Sequence, residues 1–226
     1  LEFRRVLFRS EKTAYTNYEI LLPARFENQI NIQNDRLRYV STETRHGMIQ
    51  AAKGEYVALL NAGLVPTKND WLKELMNIGQ QETSGLVTGR VVDARYRVET
   101  VGVSVDTDKG RLLYPEKGTP GKSLGYYYRI ALPRNIQAAT EDCLLFNKQL
   151  YLNLEGINES LGKEWMGVDL SLQFASAGKR NVYVSYAILK ADEKMQNHDK
   201  KGSYKELAEK WTAEALVDPY RNPKHL

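Results

Sequence analysis

The chain has 226 residues, 42% hydrophobic and 27% charged, which suits one globular domain with a sizeable core. Its 32 Lys and Arg against 28 Asp and Glu give a net charge of +4, compatible with an anionic ligand such as a nucleotide diphosphate, while no basic stripe with interleaved aromatics marks nucleic-acid binding. Cys143 is the only cysteine, so a disulfide framework and a cysteine metal site are excluded; His46, His198 and His225 are scattered, and no apolar run reaches the roughly 18 residues that span a bilayer.

Residues 1–10, LEFRRVLFRS, are basic, lack a signal-peptide cleavage pattern and resemble an in-frame translation of a sequencing adapter. They are set apart from the fold, and on this reading the natural protein begins further upstream. YEILLPA (Tyr18–Ala24) and RLRYVS (Arg36–Ser41) predict two short strands. Thr42–Gly54 follows as a helix with a Ser/Thr start, an Ala-rich body and a Gly stop. EYVALLN (Glu55–Asn61) is apolar on both faces, which predicts a central, parallel strand. After the turn Asn61-Ala62-Gly63, Trp71, Leu72, Leu75 and Ile78 mark a helix from Thr67 or Asp70 to about Gln81, with Asp70 suited to a cap. GLVTGRVVD (Gly85–Asp93) is another strand.

From Thr100 to Pro133 the chain is rich in Gly, Pro, Lys and Tyr and predicts a long excursion, an acceptor-side loop or hairpin. Tyr126-Tyr127-Tyr128 within it read first as strand residues packing on the sheet and second as a stacking surface for a sugar or base. Ala139–Ser160 predicts a strand, a helix and a Gly-Ile-Asn-Glu turn. Met166–Ser185 predicts an amphipathic helix closed by Gly178, then a strand. The charged segment from Lys190 predicts a loop, Tyr204–Leu216 a surface helix, and the last residues an extended end. The expected division is therefore a main domain over 11–202 and a C-terminal helix and tail over 203–226.

This strand–helix alternation predicts an α/β fold, with ligands beyond the carboxyl ends of the strands, where Asn61-Ala62-Gly63 lies. In order and spacing, YTNYEILL, AAKGEYVALLN, WLKEL, GLVTGRVVD, CLLFNKQLYLNLEGINES, VDLSLQFASAGKRNVYV and DPYRNP resemble the GT-A-fold glycosyltransferases of family 2, especially the rhamnosyltransferase-like members. The resemblance implies a Rossmann-like, mostly parallel sheet flanked by helices, with the family's first strand–helix unit absent before Tyr15. It also implies a nucleotide-sugar and a glycan acceptor as partners. The setting implied is bacterial cell-surface polysaccharide assembly in the cytoplasm or at the inner face of the membrane, within a peripheral membrane-associated assembly.

Such chemistry needs a neutralised diphosphate leaving group and a carboxylate base. Relatives carry one or two aspartates where Ala62 and Gly63 stand, so Mg²⁺ or Mn²⁺, expected of the family, lacks its ligands and no metal site is assigned. The Glu-Asp pair that supplies the base is replaced at Met166-Gly167-Val168-Asp169. Asp169 matches a second acid of relatives, with a structural role at the helix start as its alternative, and Glu164 is placed just before the helix. These two are the catalytic candidates, with Glu141 and Asp142 a further acidic pair. Arg25, Arg45, Asn61 and Trp165 are the substrate-binding candidates; Lys53 and Lys163 are further phosphate-binding cations. Two readings stand: a working transferase with a metal-independent or relocated site, and a degenerate glycosyltransferase-like domain serving as scaffold or binding partner of an active one.

Overall fold

A computed structural model describes residues 12–29, 34–191 and 204–221. Its centre is a seven-stranded mixed sheet in which β3 (Tyr56–Leu60), β10 (Cys143–Asn147), β5 (Ser84–Val92), β11 (Arg180–Ala191) and β4 (Leu64–Pro66) lie side by side in that order. β6 (Val98–Thr100) pairs with β5, and β9 (Arg134–Ile136) with β11. β1 (Ile20–Pro23) and β2 (Leu37–Val40) form a separate parallel pair, and β7 (Ser104–Asp106) and β8 (Arg111–Leu113) a hairpin. Helices α1 (Arg45–Ala51), α2 (Trp71–Gly79), α3 (Lys148–Leu152) and α4 (Lys163–Ser176) flank the main sheet, followed by α5 (Tyr204–Lys210) and α6 (Ala213–Leu216).

The α/β architecture is as the sequence predicts, but the sheet is mixed rather than mostly parallel. β5 and β11 pair in parallel, joined across α4, whereas β10 runs against both β3 and β5. A parallel neighbour needs a crossover connection; β10 is reached through the long 93–142 excursion and enters from the opposite end. β3, expected to be central and parallel, pairs antiparallel with β10 and with no other strand among the described residues, and most of its side chains are only half-buried. The expected adapter-like segment lies outside the described residues.

Alternation along the strands divides the core. Leu144, Phe146, Leu86 and Tyr183 face one side, under Leu170 and Phe174 of α4. Cys143, Leu145 and Val87 face the other, under Trp71, Leu72, Leu75 and Met76 of α2. Each such side chain, fully buried, contributes about 1.5–3 kcal/mol. Cys143 is a small buried hydrophobe in this layer. A third cluster joins Trp165, Met166, Val168 and Leu172 of α4 to Val103, Val105, Leu207 and Leu216. Helix α4 is thus covered on both sides and buried throughout residues 165–174, not amphipathic as its sequence suggested. Its end is as expected: Gly178, at φ 73°, donates to Ala175 O, and Lys179 N donates to Phe174 O, closing a Schellman cap.

The other departures are local. Asp70 precedes α2 but its side chain makes no capping hydrogen bond. β11 continues through Lys190 and Ala191, which were expected to open a loop, because β4 pairs with them. The C-terminal helix is two helices, broken where Thr212 caps α6 by accepting from Ala215 N. Tyr126–Tyr128 do not lie in a strand: they form a short 3-10 turn and are exposed.

Candidate functional site

The carboxyl ends of β1, β2 and β3 bring together a row of charged and polar side chains. Arg25, just past β1, pairs with Glu43, just past β2, and lies over the Phe26 ring at 4.8 Å. Two residues on, Arg45 opens α1, whose cap is Thr44 accepting from Gly47 N at 3.1 Å. The Arg45 guanidinium pairs with Glu141 at 3.1 Å, and its backbone N donates to Glu159 Oε1 at 2.6 Å. Beyond β3, the Asn61 side chain shapes the turn: its Oδ1 accepts from Gly63 N at 3.0 Å and its Nδ2 donates to Asp142 Oδ1 at 3.4 Å. Thr140 Oγ1 donates to Asp142 Oδ2 at 2.7 Å.

Helix α4 completes the site because Gly167 lets it approach. A Cβ there would stand 2.5 Å from Ala139 O and 2.7 Å from Glu141 N, both backbone atoms, so the helix meets the 139–142 segment through bare backbone. Ser171, one turn on, accepts from Ala139 N at 3.1 Å and donates to Gly167 O at 2.7 Å. This contact carries Glu164 to the site. Helix α4 begins at Lys163, earlier than the sequence predicted, so Glu164 lies in its first turn rather than before it. Burial first, then the nearby negative charges of Glu164 and Asp142, push the Tyr114 hydroxyl well above the ordinary tyrosine range. Tyr114 thus lies within reach of the charge of both Glu164 and Asp142. It was missed in the sequence because it lies in the excursion, far along the chain from both acids.

Asp169 and Trp165 are turned elsewhere. Asp169 is fully buried, accepting from Trp211 Nε1 at 2.8 Å, Gln173 Nε2 at 2.8 Å and Lys210 Nζ at 2.9 Å. Lys210 also pairs with Glu155 at 2.7 Å. The carboxylate therefore ties the C-terminal helices to the middle of α4, not to its start as the structural alternative had it. Trp165 is buried in the third cluster, 6.3 Å from the Tyr204 ring.

A hard divalent cation needs several oxygen ligands, typically with carboxylates among them. At the Asn61-Ala62-Gly63 turn the one side-chain oxygen is already engaged by Gly63 N, and Glu141 and Asp142 are held by Arg45, Asn61 and Thr140. Among the described residues no three His, Cys, Asp or Glu side chains form a metal-holding group. The donor set at this turn does not fit such a cation.

Among solved structures, the chain is similar to GalNAc-T7, determined with UDP, GalNAc and Mn²⁺ (TM-score 0.55, 14% identity, 76% of this chain and 37% of that one). It is also similar to the mannosyltransferase PcManGT from Pyrobaculum calidifontis, determined with GDP-Man and Mn²⁺ (TM-score 0.55, 13% identity, 87% of this chain and 55% of that one). The fold is that of the GT-A glycosyltransferases. At such identities the likeness concerns the fold alone. In sequence, the chain is 26% identical over 211 residues to the uncharacterized protein y4gI of Sinorhizobium fredii (strain NBRC 101917 / NGR234), covering 87% of this chain and 23% of that protein. No family model matches. The chain thus spans about a quarter of its curated relative and 37% and 55% of the two glycosyltransferase structures. Among the described residues no helix is long and apolar enough to cross a membrane.

Proposed function

We propose that this glycosyltransferase-like domain holds a nucleotide-sugar at the carboxyl ends of β1–β3, with Arg45 and Arg25 taking the diphosphate charge that a divalent cation would otherwise neutralise. The observation that carries this is the Arg45–Glu141 pair beside the Asn61–Asp142 contact, where the Arg45 side chain is 37% exposed. Guanidinium binds phosphate oxygens in a bidentate fork, and the exposed Arg25–Glu43 pair costs little to exchange for a phosphate. Glu164, beside Tyr114 in the same region, is the carboxylate placed to take a proton from an acceptor hydroxyl. The acceptor is a glycan, and the setting is family 2-type assembly of cell-surface polysaccharide at the inner face of the membrane.

A second reading is favoured by Asp169, whose carboxylate is wholly engaged in anchoring Trp211 and Lys210. On it, the domain binds the nucleotide-sugar or an active glycosyltransferase without catalysing transfer. Calorimetric titration with UDP-, GDP- and dTDP-sugars tests the first reading. Arg45→Ala is expected to weaken the binding of the preferred donor about tenfold or more, the loss of one charge-assisted hydrogen bond. Unchanged affinity in the variant, or no binding of any donor by the native chain, overturns it. Donor binding without any turnover in the presence of acceptor glycans supports the second reading.

A further inference from the structure

The loop from Gly121 to Leu132 combines a fixed base with an apolar tip. Arg90 of β5 is buried and holds both sides of the base, donating through Nη1 to Gly121 O at 2.6 Å and through Nη2 to Ile130 O at 2.6 Å. Its Nε donates to Tyr183 Oη at 3.0 Å, and Tyr183 Oη donates in turn to Ile130 O at 2.8 Å. Ile130 is fully buried, and Gly125, at φ 72°, lies so close to it that a Cβ would meet Ile130 Cγ1 at 2.7 Å. Tyr126 N is held by Glu116 Oε1 at 3.0 Å.

The tip does the opposite of packing. Tyr127 is 82% exposed, Leu124 55% and Leu132 51%, with Tyr126 and Tyr128 exposed beside them. Tyr127 and Tyr128 take left-handed φ values of 46° and 60°, a strained conformation for bulky residues that the clamped base maintains. The tip therefore offers leucine and tyrosine together on a preformed projection.

Charge indicates what covers it. From Lys117 to Thr140 the sequence has Lys117, Lys122, Arg129 and Arg134 and no Asp or Glu. Lys117 is paired with Glu99, and Arg134 donates to the backbone carbonyl of Val101. That leaves the exposed Lys122, and Arg129 lying 5.5 Å over the Tyr126 ring, as the cations of the tip. Glu116, the nearest acid in the chain, is engaged by Tyr126 N. Leucine and tyrosine flanked by basic side chains match an anionic membrane interface, where tyrosine favours the headgroup level and Lys or Arg meets acidic lipid.

We propose that Leu124, Tyr126–Tyr128 and Leu132 form a docking tip that enters the interface of an anionic membrane, with Lys122 and Arg129 on the headgroups. This rests on the membrane-side setting proposed above and is independent of nucleotide-sugar binding. Sedimentation of the full chain with phosphatidylcholine vesicles, with and without phosphatidylserine, tests it. Binding is expected with phosphatidylserine and little without. A Leu124→Ser/Tyr127→Ser double variant should lower it about tenfold while keeping the native circular dichroism and donor titration, since both side chains are exposed. Absence of vesicle binding, or equal binding by the variant, overturns the proposal. So does failure to bind vesicles accompanied by glycan binding that the double variant abolishes, which would make the tip a sugar-stacking surface.

Discussion

Asp169→Ala is expected to cost the fold about 3–5 kcal/mol in urea denaturation, the usual penalty for breaking a buried charge pair. The carboxylate is fully buried and holds three donors, so its loss leaves Trp211 Nε1 without this acceptor, Gln173 Nε2 with Gly156 O alone and Lys210 with only Glu155 as an acidic partner. Lys210→Met should also be strongly destabilising, because it leaves the fully buried Asp169 carboxylate without a charged partner. Burial pulls the Lys210 pKa down, but hydrogen bonds and charge from Glu155 and Asp169 outweigh it and leave the value above the ordinary 10.5. A group with a raised folded pKa contributes fully below its unfolded value and loses that contribution as pH rises through the folded one. The native chain should therefore lose stability above about pH 10.5, and Asp169→Ala should lose less over the same window. If Asp169→Ala unfolds at the native urea concentration, the carboxylate does not anchor the C-terminal helices.

Gly167→Val is expected to destabilise by about 3 kcal/mol, at the upper end of overpacking losses, and to push α4 away from the 139–142 segment. The obstacle is backbone on the facing segment, Ala139 O, Glu141 N and Thr140 C, so no side-chain rotation can relieve it. Gly118 provides the contrast: it sits at φ 83° with nothing within 4 Å of a Cβ, so Gly118→Ala costs only the left-handed backbone term, about 1–2 kcal/mol. Equal losses at the two glycines in thermal melts would mean that α4 does not depend on close approach to the 139–142 segment.

The contrast between these residues also explains what the sequence could disclose. The 3.6-residue spacing of Trp71, Leu72 and Leu75 and the glycine at 178 are local signals, and α2 and the end of α4 follow them. The start of α4 carries no such mark, since Gly162 precedes it without a capping side chain. Burial of α4 on both sides, which its apolar spacing did not disclose, put Trp165 in the core rather than at a binding surface. The break falls at the Thr212 cap, whereas the hydrogen bond from Trp211 to Asp169, 42 residues away in the chain, lies beyond any window of local pattern. Tyr126–Tyr128 have the composition of a strand, yet the clamp on Gly121 and Ile130 closes the loop and turns them outward. In the site, Glu141 and Asp142 were recognisable as an unusual acidic pair. Asn61 could be assigned to Asp142 only once β3 and β10 were paired, and Arg45 to Glu141 only in the folded chain.

The most direct test of a nucleotide-sugar site that works through arginine is to titrate UDP-, GDP- and dTDP-sugars calorimetrically in EDTA and again in excess Mn²⁺. Equal affinity for the preferred donor in the two conditions, within about threefold, is the predicted result. Binding that appears only with Mn²⁺ would contradict it.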